Sequence, residues 1–169
     1  MKNRNNPINN HWRTPPELYE KWNKLYGFDF DPCPWHHDLS KWDGLEIDWG
    51  DRNFVNPPYS LTEKTAFVQK AYYMAAVHGR FSFCLLPVST STGLFQQLIK
   101  PFAYRYDFEE SRIPFIGINS KGQYVNYHLI QQTSKETITY REPSSGTMKE
   151  LPKYIKNSGQ FDSMTVIFR

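Results

Sequence analysis

Apolar and polar positions run in short blocks along this 169-residue chain, and the blocks switch repeatedly between a helical and a strand period. Thr14-Pro15-Pro16-Glu17 predicts a helix start, with Thr14 as N-cap, Pro15 at the first helical position and Glu17 closing a capping box. Leu18, Trp22 and Leu25 recur at helical spacing until Gly27. Phe28-Asp29-Phe30-Asp31 alternates apolar and acidic residues up to Pro32, which predicts a short strand whose end presents Asp31. Cys33 to Arg52 has no clean period and reads as loop with one helical turn at most.

Asn53 to Val55 predicts the next strand, and Ser60-x-x-Glu63 caps a helix from Leu61 to His78 with Phe67, Ala71, Met74 and Ala75 on one face. Gly79 stops it. Phe81 to Leu86 is nearly all apolar, as in a strand covered on both sides. Ser89-Thr90-Ser91-Thr92 offers caps for a helix through Phe95, Leu98 and Ile99 that ends at Pro101. Strands are expected at Ala103 to Phe108 and Arg112 to Ile116. A polar hairpin near Gln123 to Ile130 and Glu136 to Arg141 should follow, then a buried strand at Met164 to Phe168.

Strand, helix and strand in alternation imply an α/β fold: a mainly parallel sheet flanked by helices, in a single domain spanning 1–169 with an appended β-hairpin region at 117–160. Residues 1–10, rich in asparagine, read as a flexible leader. No apolar run reaches membrane-spanning length and no signal peptide is visible, so a cytoplasmic location is expected, the host's if a phage encodes the chain. Cys33 and Cys84 suit a reducing compartment and core packing. The net charge of +3 is small, but from Gly117 to Gln160 six basic residues face three acidic ones, mixed with Tyr124, Tyr127, Tyr140 and Tyr154. That mixture suits nucleic-acid contact, with Lys121, Tyr124 and Lys153 as candidates, and it also suits a solvated hairpin.

The chemistry concentrates in Asn56-Pro57-Pro58-Tyr59, set between an expected strand and a capped helix, where α/β folds keep ligand sites. The tetrapeptide looks like the catalytic loop of an amino-methyltransferase, although it is also an acceptable strand-to-turn sequence. The exocyclic amine of adenine or cytosine has its lone pair drawn into the ring and is a poor nucleophile. An Asn56 side-chain oxygen and a Pro57 carbonyl that accept its protons would free that pair, and two prolines would keep the acceptors placed. Tyr59 would stack on a base swung out of its helix.

Taken in order, Trp12-Arg13-Thr14-Pro15-Pro16-Glu17-Leu18, Phe28 to Pro34, Asn53 to Ser60, Leu85-Leu86-Pro87-Val88 and the apolar strand after Phe161-Asp162-Ser163 resemble the phage-type DNA N6-adenine methyltransferases related to Dam enzymes. The resemblance implies S-adenosyl-L-methionine as methyl donor, an adenine amine in double-stranded DNA as acceptor, a trimmed Rossmann-like (class I) fold, and direct transfer without a covalent intermediate or a metal. By position it implies Asn56, Pro57, Pro58 and Tyr59 as catalytic. It places Trp12, Thr14, Pro15, Asp31 and Pro32, together with Asn56, beside the cofactor, with Asp31 on a ribose hydroxyl or on the donor's amino group.

Two departures stand out. No Gly-x-Gly follows the first strand, and only about twenty residues separate Asp31 from Asn53, too few for the crossovers of a full sheet. Cytosine N4 methylation and a catalytically silent DNA-binding or anti-restriction protein are the alternatives. Cys33, His36 and His37 lie close together, but no second cluster completes a metal site. The recognition sequence and oligomeric state are not written in the chain.

Overall fold

The computed structural model describes residues 12–35, 37–38, 40–118, 124–126, 137–141, 148–152 and 161–169; of these, 118, 124–126, 137–141 and 149–152 are described by their backbone, apart from the exposed side chain of Met148. The expected leader lies outside the described residues. Helix α1 (Pro16–Tyr26) ends on Gly27, whose φ of 62° is the left-handed cap that glycine adopts without strain. Helix α2 (Leu61–His78) has the expected bounds. Ser60 Oγ accepts from the Glu63 N–H, the first half of a capping box, and its hydroxyl donates to the Glu63 carboxylate at 2.6 Å.

Strands β1 (Arg52–Val55), β2 (Phe81–Pro87), β3 (Arg105–Phe108) and β8 (Ser163–Phe168) form one sheet in the order β1-β2-β8-β3. β1 and β2 pair in parallel, with Arg52 opposite Phe81 and Val55 opposite Cys84. β8 runs antiparallel to both β2 and β3. The sheet is therefore mixed, a correction to the expected mainly parallel one: β1, β2 and β3 share a direction, and the final strand inserts between two of them the other way. The expected strand at Phe28–Asp31 shrinks to a parallel bridge between Phe30 and Asn53, because the twenty-residue connection to β1 builds turns instead of a further strand.

Strand alternation sends successive side chains to opposite faces. Phe54, Phe83, Leu85 and Ile167 meet Tyr19 and Trp22 of α1, whereas Val55, Cys84, Leu86, Val166 and Phe168 meet Phe67, Val68, Ala71 and Met74 of α2. Both faces are thus covered, which explains the unbroken apolar run of β2. Each fully buried large side chain contributes about 1.5–3 kcal/mol.

On the α2 face the chain between β2 and β3 also departs from expectation. A π-helical turn (Phe95–Ile99) runs into a short α-turn (Lys100–Phe102), so the helical segment passes through Pro101. The wider turn, closed by Lys100 N–H on the Phe95 carbonyl, accommodates a proline that an α-helix would expel. Strand β4 (Ile116–Ile118) pairs with β5 (Tyr124–Asn126), and β6 (Thr137–Arg141) with β7 (Met148–Pro152). The expected pairing of 123–130 with 136–141 is replaced by these two ribbons, and Pro114 holds back the strand expected from Arg112.

Because β1, β2 and β3 point the same way, their carboxyl ends share an edge. The Asn56–Tyr59 loop, residues 88–92 and residues 109–114 all leave the sheet there. The Phe30 bridge delivers Asp31 to the same edge. Among the described residues no helix is long and apolar enough to cross a membrane.

Candidate active site

Asn56 follows β1 directly and is 5% exposed. Its Nδ2 donates to the Trp12 carbonyl at 2.6 Å and to Thr14 Oγ1 at 3.1 Å, and its Oδ1 accepts from the Tyr59 hydroxyl at 2.8 Å. The amide can satisfy this set in one orientation only: two acceptors surround its nitrogen and a hydroxyl meets its oxygen. Residues distant in sequence therefore fix which way the Asn56 oxygen faces.

The segment that does this is a strap over residues 12–14. Arg13 exchanges two backbone hydrogen bonds with Ile116 of β4, at 2.8 and 3.0 Å. The Trp12 ring lies so close to Gly117 that a Cβ there would come within 2.3 Å of it, so this position requires glycine for close approach. The Arg13 guanidinium sits 5.4 Å from the Trp35 ring centroid, tying the strap to the loop after Asp31.

Thr14 is not the N-cap of α1. Pro15 occupies that position, no side chain caps the helix, and the Pro15 carbonyl accepts from Leu18 and Tyr19. The Thr14 hydroxyl is drawn instead to Asn56, a partner no local pattern reveals.

Asp31 is buried, and its carboxylate accepts from the Cys33 N–H at 2.9 Å, a local side-chain-to-backbone turn. Cys33 in turn takes a hydrogen bond from the Asn56 backbone. Burial pushes the Cys33 thiol well up, and the nearby Asp31 carboxylate and Cys84 add to the rise, so it stays protonated. Both cysteines are free and buried, in keeping with core packing. The Pro32 carbonyl packs against Gly44, where a Cβ would meet it at 1.8 Å. His37 turns back on the Pro34 carbonyl, and His36 lies outside the described residues.

Pro57 is buried, while Pro58 and Tyr59 are half-buried. The Tyr59 ring packs edge-to-face with Phe115 and Phe161, at 5.8 and 5.5 Å between centroids. Sequence reasoning missed both phenylalanines and Cys33 as neighbours of the loop, and Gly117 as the neighbour of the Trp12 ring. A cleft of about 740 Å³ opens beside the strap between Pro15, Leu18 and Lys21 of the α1 region and residues 108–114; none of Asn56 to Tyr59 lines it. Burial raises the Glu109 carboxyl in that cleft, partly offset by Lys21.

The structure thus brings Trp12, Thr14, Asp31, Pro32, Asn56, Pro57 and Tyr59 to one edge, with Pro15 turning away into α1. Lys121 and Lys153 lie outside the described residues, and Tyr124 is described only as a backbone partner of Ile118 in the β4–β5 ribbon.

Comparison with known proteins adds to the geometry. Residues 2–133 match the family model described as DNA N-6-adenine-methyltransferase (Dam). A DNA N-6-adenine-methyltransferase of Haemophilus phage HP1 is 29% identical over 122 residues, 66% of this chain and 69% of the relative. No solved structure gives a significant match.

Proposed function

We propose that this chain, which belongs to the DNA N-6-adenine-methyltransferase (Dam) family, is a site-specific enzyme of the cell or host cytoplasm. Its reaction moves the methyl group of S-adenosyl-L-methionine to the N6 amine of adenine in double-stranded DNA. The base is swung out of the duplex, and transfer is direct. The trimmed Rossmann-like reading of the sheet belongs to the same proposal, since candidate ligand loops gather at the carboxyl ends of strands that share a direction.

The observation that carries the reading is the double anchoring of the Asn56 amide nitrogen to Trp12 and Thr14, which fixes its oxygen as an acceptor of set direction. An amide oxygen accepts along two directions, and the Tyr59 hydroxyl uses one of them. Asn56 Oδ1 and the Pro57 carbonyl would accept the two N–H groups of the target amine, leaving its lone pair able to attack. As the new N–C bond forms and the S–C bond to the methyl group breaks, with its electron pair passing to sulfur, positive charge grows on that nitrogen, and the oriented oxygens stabilise it without reorganising. One amine proton then passes to solvent water, regenerating a neutral amine.

The donor set fits a sulfonium amino acid. Asp31 is a buried carboxylate suited to an ammonium or a ribose hydroxyl, and Trp12, Thr14 and Pro32 border the same edge. When bound, S-adenosyl-L-methionine supplies an electrophilic methyl on a positively charged sulfur. Tyr59 would offer its ring to the extruded base, a contact worth roughly 1–3 kcal/mol against an extrusion cost of a few kcal/mol. The Phe115 and Phe161 edges hold that ring in place. Residues 117–160 would contact the DNA backbone.

Incubation of the chain with duplex DNA and methyl-labelled S-adenosyl-L-methionine, followed by nucleoside analysis, tests this directly. Label in N6-methyladenine supports the proposal; label in N4-methylcytosine, or none, overturns it.

A further inference from the structure

The amino ends of β1, β2 and β3 border a cavity of about 370 Å³, on the sheet edge opposite the Asn56–Tyr59 loop. Arg52 opens β1 and stands opposite Phe81, and Arg105 opens β3 and stands opposite Ile167. Phe81 and Ile167 both pack on the α1 face, so cross-strand pairing brings the two arginines to that face as well. Ser82 pairs with Phe168, which sets Arg169 level with Phe81 on the other side of β2. Arg52 and Arg169 thus flank Phe81 from neighbouring strands, about 10 Å apart across two strand spacings. All three arginines line the cavity, and its described lining residues include no carboxylate.

Two of the guanidiniums are held in place with their N–H edges open. That of Arg52 lies 4.7 Å from the Phe81 ring centroid, and Phe81 is itself stacked on Tyr26 at 5.4 Å. Its Nε donates to the Tyr26 carbonyl at the end of α1, and its two terminal nitrogens meet no acceptor among the described residues. Asp29 takes the Arg52 main-chain N–H, not the guanidinium. The Arg169 guanidinium lies 3.2 Å from the Tyr104 ring centroid and makes no hydrogen bond or ion pair with a described residue. Arg105 differs, since Asp107 pairs with it at 2.5 Å.

Capping of α1 explains the Nε contact of Arg52 but not the convergence of Arg105 and Arg169 on the same cavity. Guanidiniums laid flat on aromatic rings keep their N–H edges in a fixed fork, the geometry that meets phosphate oxygens two at a time. We infer that this cavity binds the phosphate monoester of a nucleotide between Arg52 and Arg169. A monoester carries a charge of about −1.5 to −2 at neutral pH, which matches two guanidiniums without a carboxylate partner; a phosphodiester inside a DNA strand carries a single charge. The cavity is larger than a phosphate and leaves room for the attached sugar and base beside Tyr26 and Tyr104. β2 spans seven residues, roughly 20 Å at about 3.3 Å per residue, so a nucleotide held here stays clear of the Asn56–Tyr59 loop. It is a second ligand, apart from the proposed transfer.

The test is equilibrium binding of thymidine 5′-monophosphate and of thymidine to the full chain and to Arg52→Gln and Arg169→Gln. Neither probe carries the adenine or sulfonium of the methyl donor. The unmodified chain should prefer the monophosphate by roughly 10–100-fold, the scale of hydrogen bonds between charged groups. Each variant should lose most of that preference. Arg169 caps no helix, so Arg169→Gln should melt like the unmodified chain, which separates a lost site from a lost fold. A short DNA strand with and without a 5′ phosphate identifies the source. Preference for the phosphorylated strand marks a DNA end, and preference confined to the mononucleotide marks a free nucleotide. Absence of any phosphate preference in the unmodified chain overturns the inference, and so does a preference that survives in both variants. Equal affinity for the two DNA strands, weakened alike by both substitutions while the mononucleotide does not bind, would mark a DNA-backbone contact and overturn it too.

Discussion

The Asn56 amide nitrogen lies 3.1 Å from Thr14 Oγ1, across 42 residues of sequence, and this contact with its companion to the Trp12 carbonyl sets the direction of the Asn56 oxygen. The early segment and the proline loop act as one device. The first orients the second.

Thr14→Val tests that device with little change of volume. Loss of the hydroxyl should cost about 1 kcal/mol in stability, the scale of one hydrogen bond. It should lower the methylation rate constant about tenfold, because a misaimed acceptor loses transition-state contact worth that much. Thr14→Ser should retain both properties. Denaturant unfolding and single-turnover rates check it; an unchanged rate in Thr14→Val would remove Thr14 from the orienting role.

Gly117→Ala reaches the same device from the other side. The added Cβ would lie 2.3 Å from the Trp12 ring, so the ring or the β4 backbone must shift. Overpacking of this kind costs typically 1–3 kcal/mol. We expect that loss in thermal unfolding, together with a slower methyl transfer, although Gly117 touches no expected ligand.

Tyr59 separates two contributions. Tyr59→Phe removes the hydroxyl that meets Asn56 Oδ1 but keeps the ring between Phe115 and Phe161. Tyr59→Ala removes both. DNA affinity should be nearly unchanged in the first and should fall roughly 5–150-fold in the second, matching a stacking contact of about 1–3 kcal/mol. Equal affinity of the two variants would show that the ring does not hold a base.

Much of this arrangement was legible because it is local. Ser60 with Glu63, and Gly79 with its φ of 65°, fix α2 by neighbours within a turn, and both ends of that helix were placed correctly. Phe81–Pro87 and Ser163–Phe168 declare themselves through burial on both faces. What escaped is long-range. Thr14 carries the same hydroxyl whether it caps a helix or holds Asn56, and only the tertiary fold decides. The Phe28–Asp31 alternation promised a strand, but a strand needs a neighbour on the sheet, and here it finds one pairing, Phe30 with Asn53. The direction of β8 likewise depends on where the chain returns after residue 160, which no periodicity encodes.

Lys121 and Lys153 carry the proposed contact to the DNA backbone. Reversing both charges should weaken duplex binding and flatten its salt dependence, since each neutralised phosphate contributes about 0.9 to the slope of log affinity against log salt. Affinity titrations at several salt concentrations read this. A variant with unaltered slope and affinity would move the DNA interface elsewhere.

The central claim is that the Asn56 side chain is an oriented acceptor for the target amine. Asn56→Ala, assayed for methyl transfer to adenine in duplex DNA under single-turnover conditions, tests it most directly. The account predicts a rate lower by roughly 10²–10³-fold, as when one preorganised polar group is lost from a transition-state site, with donor binding and the folded state retained. A folded variant with near-normal rate would contradict it.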